Sequence, residues 1–321
     1  LIENEPGGGL YVSDDAGATW TLANAERSIR QRAFYYSRIY ADPKSRDTIY
    51  MPQVLLMKST DAGKTLTAIR TPHPDSHDLW ISTTDPQRMI EGNDGSANVT
   101  VNGGQTWSDQ DVPTGQFYHV FTTKHEPYHV CGAQQDNSTA CVSSAPTGGL
   151  LVLPQLFYEV GGGESGYIAP DPNDTDVFYA GSYGGYISRF NRRTGQRRQV
   201  DVWPDNPMGW GSESITERFQ WTFPIVFSPA DRKTVFVSSQ HLWRTTNEGQ
   251  SWQKISPDLT RHDPKTMQPS GGPITKDNTG VETYAVIFSI APSHQDVNTI
   301  FVGSDDGLFD RGIERAGVAD A

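Results

Sequence analysis

Cysteine is almost missing from this 321-residue chain, which has only Cys131 and Cys141. Long apolar runs are missing as well. The best candidate, 150–156, already contains Pro154 and Gln155, so no segment approaches the ~20 residues of a membrane helix. Positive charge is in deficit: 26 Lys and Arg stand against 38 Asp and Glu, a net charge of −12. A nucleic-acid backbone is therefore a poor partner. No block of like charges marks a tail. An initiator Met and a basic leading segment are lacking, so a signal peptide is expected to be already removed or to lie outside this sequence. No segment carries a good helical stripe. A nucleophile elbow, a P-loop and a dinucleotide fingerprint are also absent.

Turn-formers and aromatics are abundant instead, with 31 Gly, 21 Pro, 8 Trp, 13 Tyr and 13 Phe. Roughly one residue in six is Gly or Pro, which suits many short strands rather than long helices. The apolar and aromatic content is enough for a sizeable core. The two cysteines flank the turn-rich stretch 135–139, so a hairpin turning at residue 136 sets them opposite each other. A cross-strand disulfide in an oxidising compartment is one outcome. Two reduced small residues in a strand pair are the other.

The chain repeats itself. SDDAGATW (13–20), STDAGKTL (59–66), TVNGGQTW (100–107) and TTNEGQSW (245–252) share one pattern, and their starts are 46, 41 and 145 residues apart. A second series interleaves with it, an Asp/Pro turn before a β-rich run, as in TDPQRMIEG from 84 and SPADRKTVFVSS from 228. Each unit reads as four short strands, and such a pitch predicts an all-β fold, a β-propeller of four-stranded blades. Innermost strands are predicted at 34–40, 78–82, 117–122, 166–169, 221–227 and 284–290. That gives six blades, with seven as the other count, in one domain over 1–321. The ring is expected to close by joining the N-terminal strands (9–22) to the C-terminal unit (284–309). In the repeated turn the Asp or Asn bonds turn amides, Gly supplies a positive φ, and the aromatic plugs between blades.

These turns resemble Asp-box, or bacterial neuraminidase, repeats. The chain resembles the large Asp-box "glycosyl hydrolase" and sortilin-like propeller proteins of bacteria over nearly its whole length. Stretches outside the boxes carry the resemblance too, among them 77–95, GAQQDNST (132–139), GGGESGYIAPDP (161–172) and FQWTFPI (219–225). It implies a propeller with its boxes on one face. The arginine triad of a sialidase is not identifiable, since Arg30, Arg32 and Arg38 fall within one unit.

Propeller geometry places the loops entering each inner strand, and those between second and third strands, on the face opposite the boxes. Several polar residues then share one mouth. PHPDSHD (72–78) sets His73, Asp75 and His77 just before a strand, an N/O set suited to a divalent cation. GGGES (161–165) presents Glu164, and Glu164 with Asp78 or Asp94 supplies the two carboxyls that glycoside hydrolysis needs. Arg32, Gln134, Asp136, Tyr183, Trp210, Gln220, Trp221 and Glu282 are the substrate-binding candidates, the aromatics as platforms for sugar rings.

Three functions follow. The first is an extracellular or periplasmic hydrolase, resembling Asp-box glycoside hydrolases, that cleaves a saccharide with paired carboxylates. The second is a metal-dependent ester or phosphoester hydrolase at the His/Asp cluster. The third is a sortilin-like propeller that binds a peptide or protein partner without catalysis. The hairpin register carries its own test. If Cys131 faces Cys141, the denatured protein should show no titratable thiol before reduction, and two thiols would show the register or the compartment to be wrong.

Overall fold

The computed structural model describes residues 7–31, 33–36, 38–108, 112, 114–145, 153–269 and 283–313. It falls into two compact units, Leu1–Thr114 with Gly271–Asp277, and Gly115–Ser270 with Asn278–Ala321. In the first unit the strands are β1 (Leu10–Val12), β2 (Thr21–Asn24), β3 (Tyr40–Ala41), β4 (Ile49–Met51), β5 (Leu56–Ser59), β6 (Thr67–Ile69), β7 (Ser76–Ile81), β8 (Met89–Asn93) and β9 (Ser96–Thr100). The second unit begins with β10 (Phe117–Thr122), β11 (His129–Gln134), β12 (Thr139–Ser143), β13 (Ile168–Pro170), β14 (Val177–Ser182), β15 (Tyr186–Asn191) and β16 (Gln196–Gln199). It continues with β17 (Ile225–Phe227), β18 (Val235–Ser238), β19 (Leu242–Thr245), β20 (Gln253–Lys254), β21 (Ile287–Pro292), β22 (Thr299–Ser304) and β23 (Phe309–Ile313).

Every described sheet is an antiparallel meander of consecutive strands: β1–β2, β3–β6 and β7–β9 in the first unit, β10–β12, β13–β16, β17–β20 and β21–β23 in the second. Three of these sheets have the four strands that the repeat predicts. In two others, both three-stranded, a short further segment pairs beside the last strand. Ser108 N donates to Val99 O (2.8 Å) beside β9, and Tyr158 exchanges both backbone bonds with Cys141 beside β12. β1 and β2 form a sheet of their own, so a blade shared between 9–22 and 284–309 is not among the described sheets.

Successive sheets within each unit pack face to face, and the strand sequences show why. Val177 and Tyr179 of β14 enter a core with Ile225, Val235 and Val237, while Phe178 and Ala180 enter another with Ile168, Cys131 and Cys141. Alternate side chains of a strand point to opposite faces, so VFYA is apolar throughout because both of its faces are covered. In β18, Val235 and Val237 face one core and Phe236 the next, with Leu242, Ile287, Ile300 and Val302. The first unit follows the same rule: Met51 and Met57 pack with Leu10 and Ile29, while Tyr50 and Leu56 pack with Leu79 and Met89. Each fully buried side chain of this size contributes about 1.5–3 kcal/mol.

The four repeated turns share one hydrogen-bond pattern. The hydroxyls of Ser13, Ser59, Thr100 and Thr245 accept from the N–H of Gly17, Gly63, Gly104 and Gly249 at 2.8, 2.8, 3.1 and 3.1 Å. Oδ1 of Asp15, Asp61, Asn102 and Asn247 accepts from the N–H four residues on, at 2.8–3.1 Å. The bonds from Thr19 and from Thr65 hold the carboxyls of Asp15 and Asp61 down at about 2. Trp252 reaches into the preceding sheet, donating Nε1–H to Val200 O (2.9 Å), and Trp107 packs beside the Tyr50–Met89 core. Trp20 departs from the pattern: it is 62% exposed and bonds its own turn at Gly17 O.

The predicted disulfide is present. Cys131 and Cys141 are register partners on β11 and β12 and are joined. The predicted inner strand over 34–40 is not: Ala33–Tyr36 is a single helical turn, α1, and strand begins only at Tyr40. The aromatic run AFYY has strand propensity, but tertiary bonds override it. Tyr36 is buried, its hydroxyl donates to Asp75, and Gln53 Nε2 donates to its carbonyl (2.9 Å).

The repeated turn yields a stability comparison. Gly249 and Gly195 have φ of 73° and 70°, but a Cβ at 249 would lie 2.7 Å from the Cβ of buried Val200, whereas one at 195 would meet nothing within 4 Å. Gly195→Ala should cost about 1 kcal/mol, the backbone penalty alone. Gly249→Ala should cost about 2–4 kcal/mol, because overpacking is added. Urea unfolding of both variants measures this, and equal costs would show that the turn does not press on the neighbouring sheet.

Candidate functional site

In the first unit the predicted metal ligands are not gathered. Asp75 sits at φ 59° and accepts from the Tyr36 hydroxyl. His73 lies over Gly95, with Nδ1 3.1 Å from its own neighbour Pro74 O. His77 stands against Tyr35 and Tyr36, with Nε2 2.5 Å from Asp94 Oδ1. Among the described residues no group of three or more His, Cys, Asp or Glu is disposed to hold a metal ion. A register shift between Ser76 and Asp78 and the left-handed Asp75 turn these side chains apart, so alternation along an ideal strand does not apply.

Asp78 is also committed elsewhere. It accepts from the Tyr40 hydroxyl, from Arg38 Nη1 (2.7 Å) and from Leu79 N (2.8 Å). The Tyr40 bond first, then the Leu79 amide and the Arg38 charge, hold its carboxyl below the ordinary range although burial opposes them. Its side chain is 63% exposed. Such a group is a stable carboxylate and a poor proton donor.

In the second unit Glu164 meets the Asp136 backbone, and Tyr183 stacks on Trp221. The backbone around GGGES runs against β14, where Gly163 N donates to Gly181 O (2.9 Å). A Cβ on Gly166 would lie 1.8 Å from that same carbonyl, so only glycine permits the approach. Glu164 is thereby turned toward the β11–β12 loop. Its Oε2 accepts from Asp136 N (2.8 Å) and from Gln135 Nε2 (3.2 Å). Burial pushes its pKa up, the Asp136 amide pulls it down, and the Asp136 carboxylate, within hydrogen-bonding reach, raises it further, for a net upward shift.

An aromatic chain continues from this pair. The Tyr118 hydroxyl donates to Gln135 Oε1, the Tyr118 ring meets Trp221 edge-on at 6.3 Å, and Trp221 stacks on Tyr183 at 5.3 Å with planes 4° apart. Gln134 lies over Gly115, and Gln220 Oε1 accepts from the N–H and the hydroxyl of Thr222, stabilising its own turn. Arg32 and Glu282 lie outside the described residues. Tyr118 was not among the predicted residues; its signal was the β10–β11 pairing, which brings Gln116 O to Gln135 N (2.9 Å).

Beside Tyr183, a cleft of about 190 Å³ is lined by Gly184, Trp203, Asp205, Asn206, Pro207, Trp210, Ser214, Ile215, Glu217 and Phe219. Trp210 is 59% exposed there. The Glu217 side chain is 2% exposed and takes hydrogen bonds from Ser239 Oγ (2.7 Å) and Lys254 Nζ (2.8 Å), with His241 Nδ1 at 2.9 Å. Burial raises its pKa, but the bonds to His241, Lys254 and Ser239 together outweigh burial and hold it below the ordinary value.

No protein-family profile and no curated protein matches the sequence. Among solved structures it is similar to the GH74 xyloglucanase of Xanthomonas campestris, at 13% identity and a TM-score of 0.38, over 94% of this chain and 48% of that one. A GH74 enzyme of Niastella koreensis gives 14% identity and 0.36 over the same shares. The WD40 β-propeller domain of Doa1 gives 12% and 0.39 over 87% of this chain and 92% of its own. The chain spans about half the length of the two GH74 enzymes.

Glu217 sets a pH dependence of stability. Its folded pKa is depressed, so the stability it contributes is present above the ordinary 4.5 and is lost as pH falls through the folded value. Glu217→Gln should lower stability at neutral pH by about 2–3 kcal/mol, the worth of hydrogen bonds to a buried charge. The gap between variant and parent should narrow toward acid. Urea unfolding across pH measures it, and a gap constant down to pH ~2 would show that Glu217 does not titrate with folding.

Proposed function

We propose that the chain is a β-propeller hydrolase acting on a saccharide, with Glu164 as its proton donor. The observation that carries this reading is the Glu164–Asp136 pair, a half-buried carboxyl with a raised pKa beside a second carboxylate and the Tyr183–Trp221 stack. A general acid must hold its proton near working pH, and burial beside a like charge is how a carboxyl does so. Stacked aromatics offer flat apolar faces to pyranose rings. The propeller reading is supported by the consecutive meanders packed face to face within each unit. The disulfide and the net charge of −12 favour an extracellular or periplasmic protein with no nucleic-acid partner. Among the described residues no helix is long and apolar enough to cross a membrane.

A second reading, a propeller that binds its partner without turnover, draws on the carboxylate geometry. Glu164 is engaged by the Asp136 amide and by Gln135 Nε2, whereas glycoside hydrolysis needs a second carboxyl held about 5–9.5 Å away. Asp78 is held ionised by Tyr40 and Arg38. A metal-dependent reaction at His73, Asp75 and His77 has no assembled ligand set to support it.

Turnover of a broad glycan panel decides between the two. If Glu164 is the acid, Glu164→Gln keeps the bond from Asp136 N and loses about 10²–10⁴-fold in kcat. Activity should fall as pH rises through the raised pKa of Glu164, at a pH above the ordinary 4.5. Asp136→Asn keeps the amide and removes the charge, so this limb should move to lower pH. A full panel without turnover would leave the binding reading.

A further inference from the structure

We infer that the cleft beside Tyr183 is a subsite for one ring of an uncharged saccharide, read by Trp203, Trp210, Asp205 and Asn206. The inference rests on the saccharide reading of the second unit, but not on Glu164 being an acid. Four observations meet here. Trp203 and Trp210 are 39% and 59% exposed although they line a concavity, so indole surface is open to a ligand. The volume of about 190 Å³ is below the ~300–1,000 Å³ of sites for drug-sized ligands, which suits one ring rather than a long chain.

The polar atoms form a complementary pair. Asp205 Oδ1 accepts from Asn206 N (2.8 Å), and Asn206 Oδ1 accepts from Met208 N (3.1 Å). These two bonds fix the adjacent side chains. Among the described residues, Asp205 Oδ2 and Asn206 Nδ2 hydrogen-bond to nothing in the chain. One is an acceptor and the other a donor, which matches two neighbouring hydroxyls, since each hydroxyl both donates and accepts. The charges set the class. Among the described residues no Lys, Arg or His lines the cleft, and the two ionisable groups there are both carboxyls, so an acidic sugar would meet repulsion from them. Glu217 is occupied by His241, Lys254 and Ser239, which leaves Asp205 as the carboxylate free to accept.

The loop is held independently of any ligand. Trp210 N donates to Pro207 O (3.1 Å), Pro207 packs on Gly184, and Glu213 N donates to Met267 O (3.0 Å). Trp210→Ala and Asn206→Asp therefore leave the fold in place. The second retains the Oδ1 that accepts from Met208, replaces the Nδ2 donor with an acceptor and adds a negative charge beside Asp205.

The test is titration of the full chain, followed by tryptophan fluorescence and calorimetry, with cellobiose, mannobiose, galactobiose, digalacturonate and choline. At least one neutral disaccharide should bind and perturb the fluorescence, with digalacturonate bound at least tenfold more weakly. Trp210→Ala and Asn206→Asp should each weaken that binding about tenfold, the scale of a lost stacking face or neutral hydrogen bond. Binding of none of the three neutral disaccharides overturns the inference, as does binding indifferent to both cleft variants. Choline bound more tightly than any neutral sugar, and tighter still in Asn206→Asp, would show an organic-cation site and overturn it. Binding that survives while the glycan panel shows no turnover sinks the acid at Glu164 and leaves this subsite standing.

Discussion

Each repeated turn holds its glycine, and the residue before it, in the left-handed region, and the side chains that hold them come from within the same eight residues. Ser or Thr takes the glycine amide, and Asp or Asn takes the amide four residues on. The strand before the turn is thereby sent back across its neighbour in fixed register, and, Trp20 apart, the residue closing the turn packs inward, as Trp252 does at Val200. Without that contact the face-to-face packing of successive sheets would lose its seam. The turn bonds are modest singly. Their effect is geometric, because they decide which face each following side chain reaches.

Sheets covered on both faces leave little place for chemistry in the strands themselves. A polar group on β14 or β18 would have to find a partner inside a core of Phe, Val and Ile. Titratable groups are accordingly pushed to strand ends and loops, where Glu164 meets Asp136 and Gln135 and the 203–215 loop carries two tryptophans. Polar groups that stay inside are paired: Glu91 of β8, fully buried, accepts from Ser76 Oγ and Asn93 Nδ2, and the Ser239 hydroxyl is satisfied by Glu217 and the Trp243 indole N–H.

Local rules explain how much of this was legible. The repeated turns, β7, β10 and the Cys131–Cys141 register depend on bonds within a dozen residues or on a two-residue period, and both are written in the sequence. α1 was not legible, because Gln53 and Asp75 decide its conformation from 17 and 39 residues away. His73, Asp75 and His77 are not gathered, for a related reason. PHPDSHD has ligand-like spacing only on a regular strand, and a register shift with a left-handed Asp75 removes that regularity. Glu164 was found through its glycines, though what they serve is close approach to the Gly181 carbonyl. Asp205 and Asn206 passed unnoticed because neither has any local signature beyond a turn.

Two carboxyls of the second unit show how neighbours, more than burial, sort function from scaffold. Burial acts on both Glu164 and Glu217 in the same direction, favouring the proton. Glu217 is the more enclosed, yet its pKa ends below the ordinary value, because an ammonium, an imidazole and a hydroxyl surround it. That carboxylate is fully satisfied and has nothing left to exchange with a ligand. Glu164 ends above the ordinary value, because burial raises it and its partners among the described residues are amides and another carboxylate, with no cation to offset the burial. The less buried of the two is therefore the one whose carboxyl is held upward, while the more buried one is held as a carboxylate in the wall of the cleft.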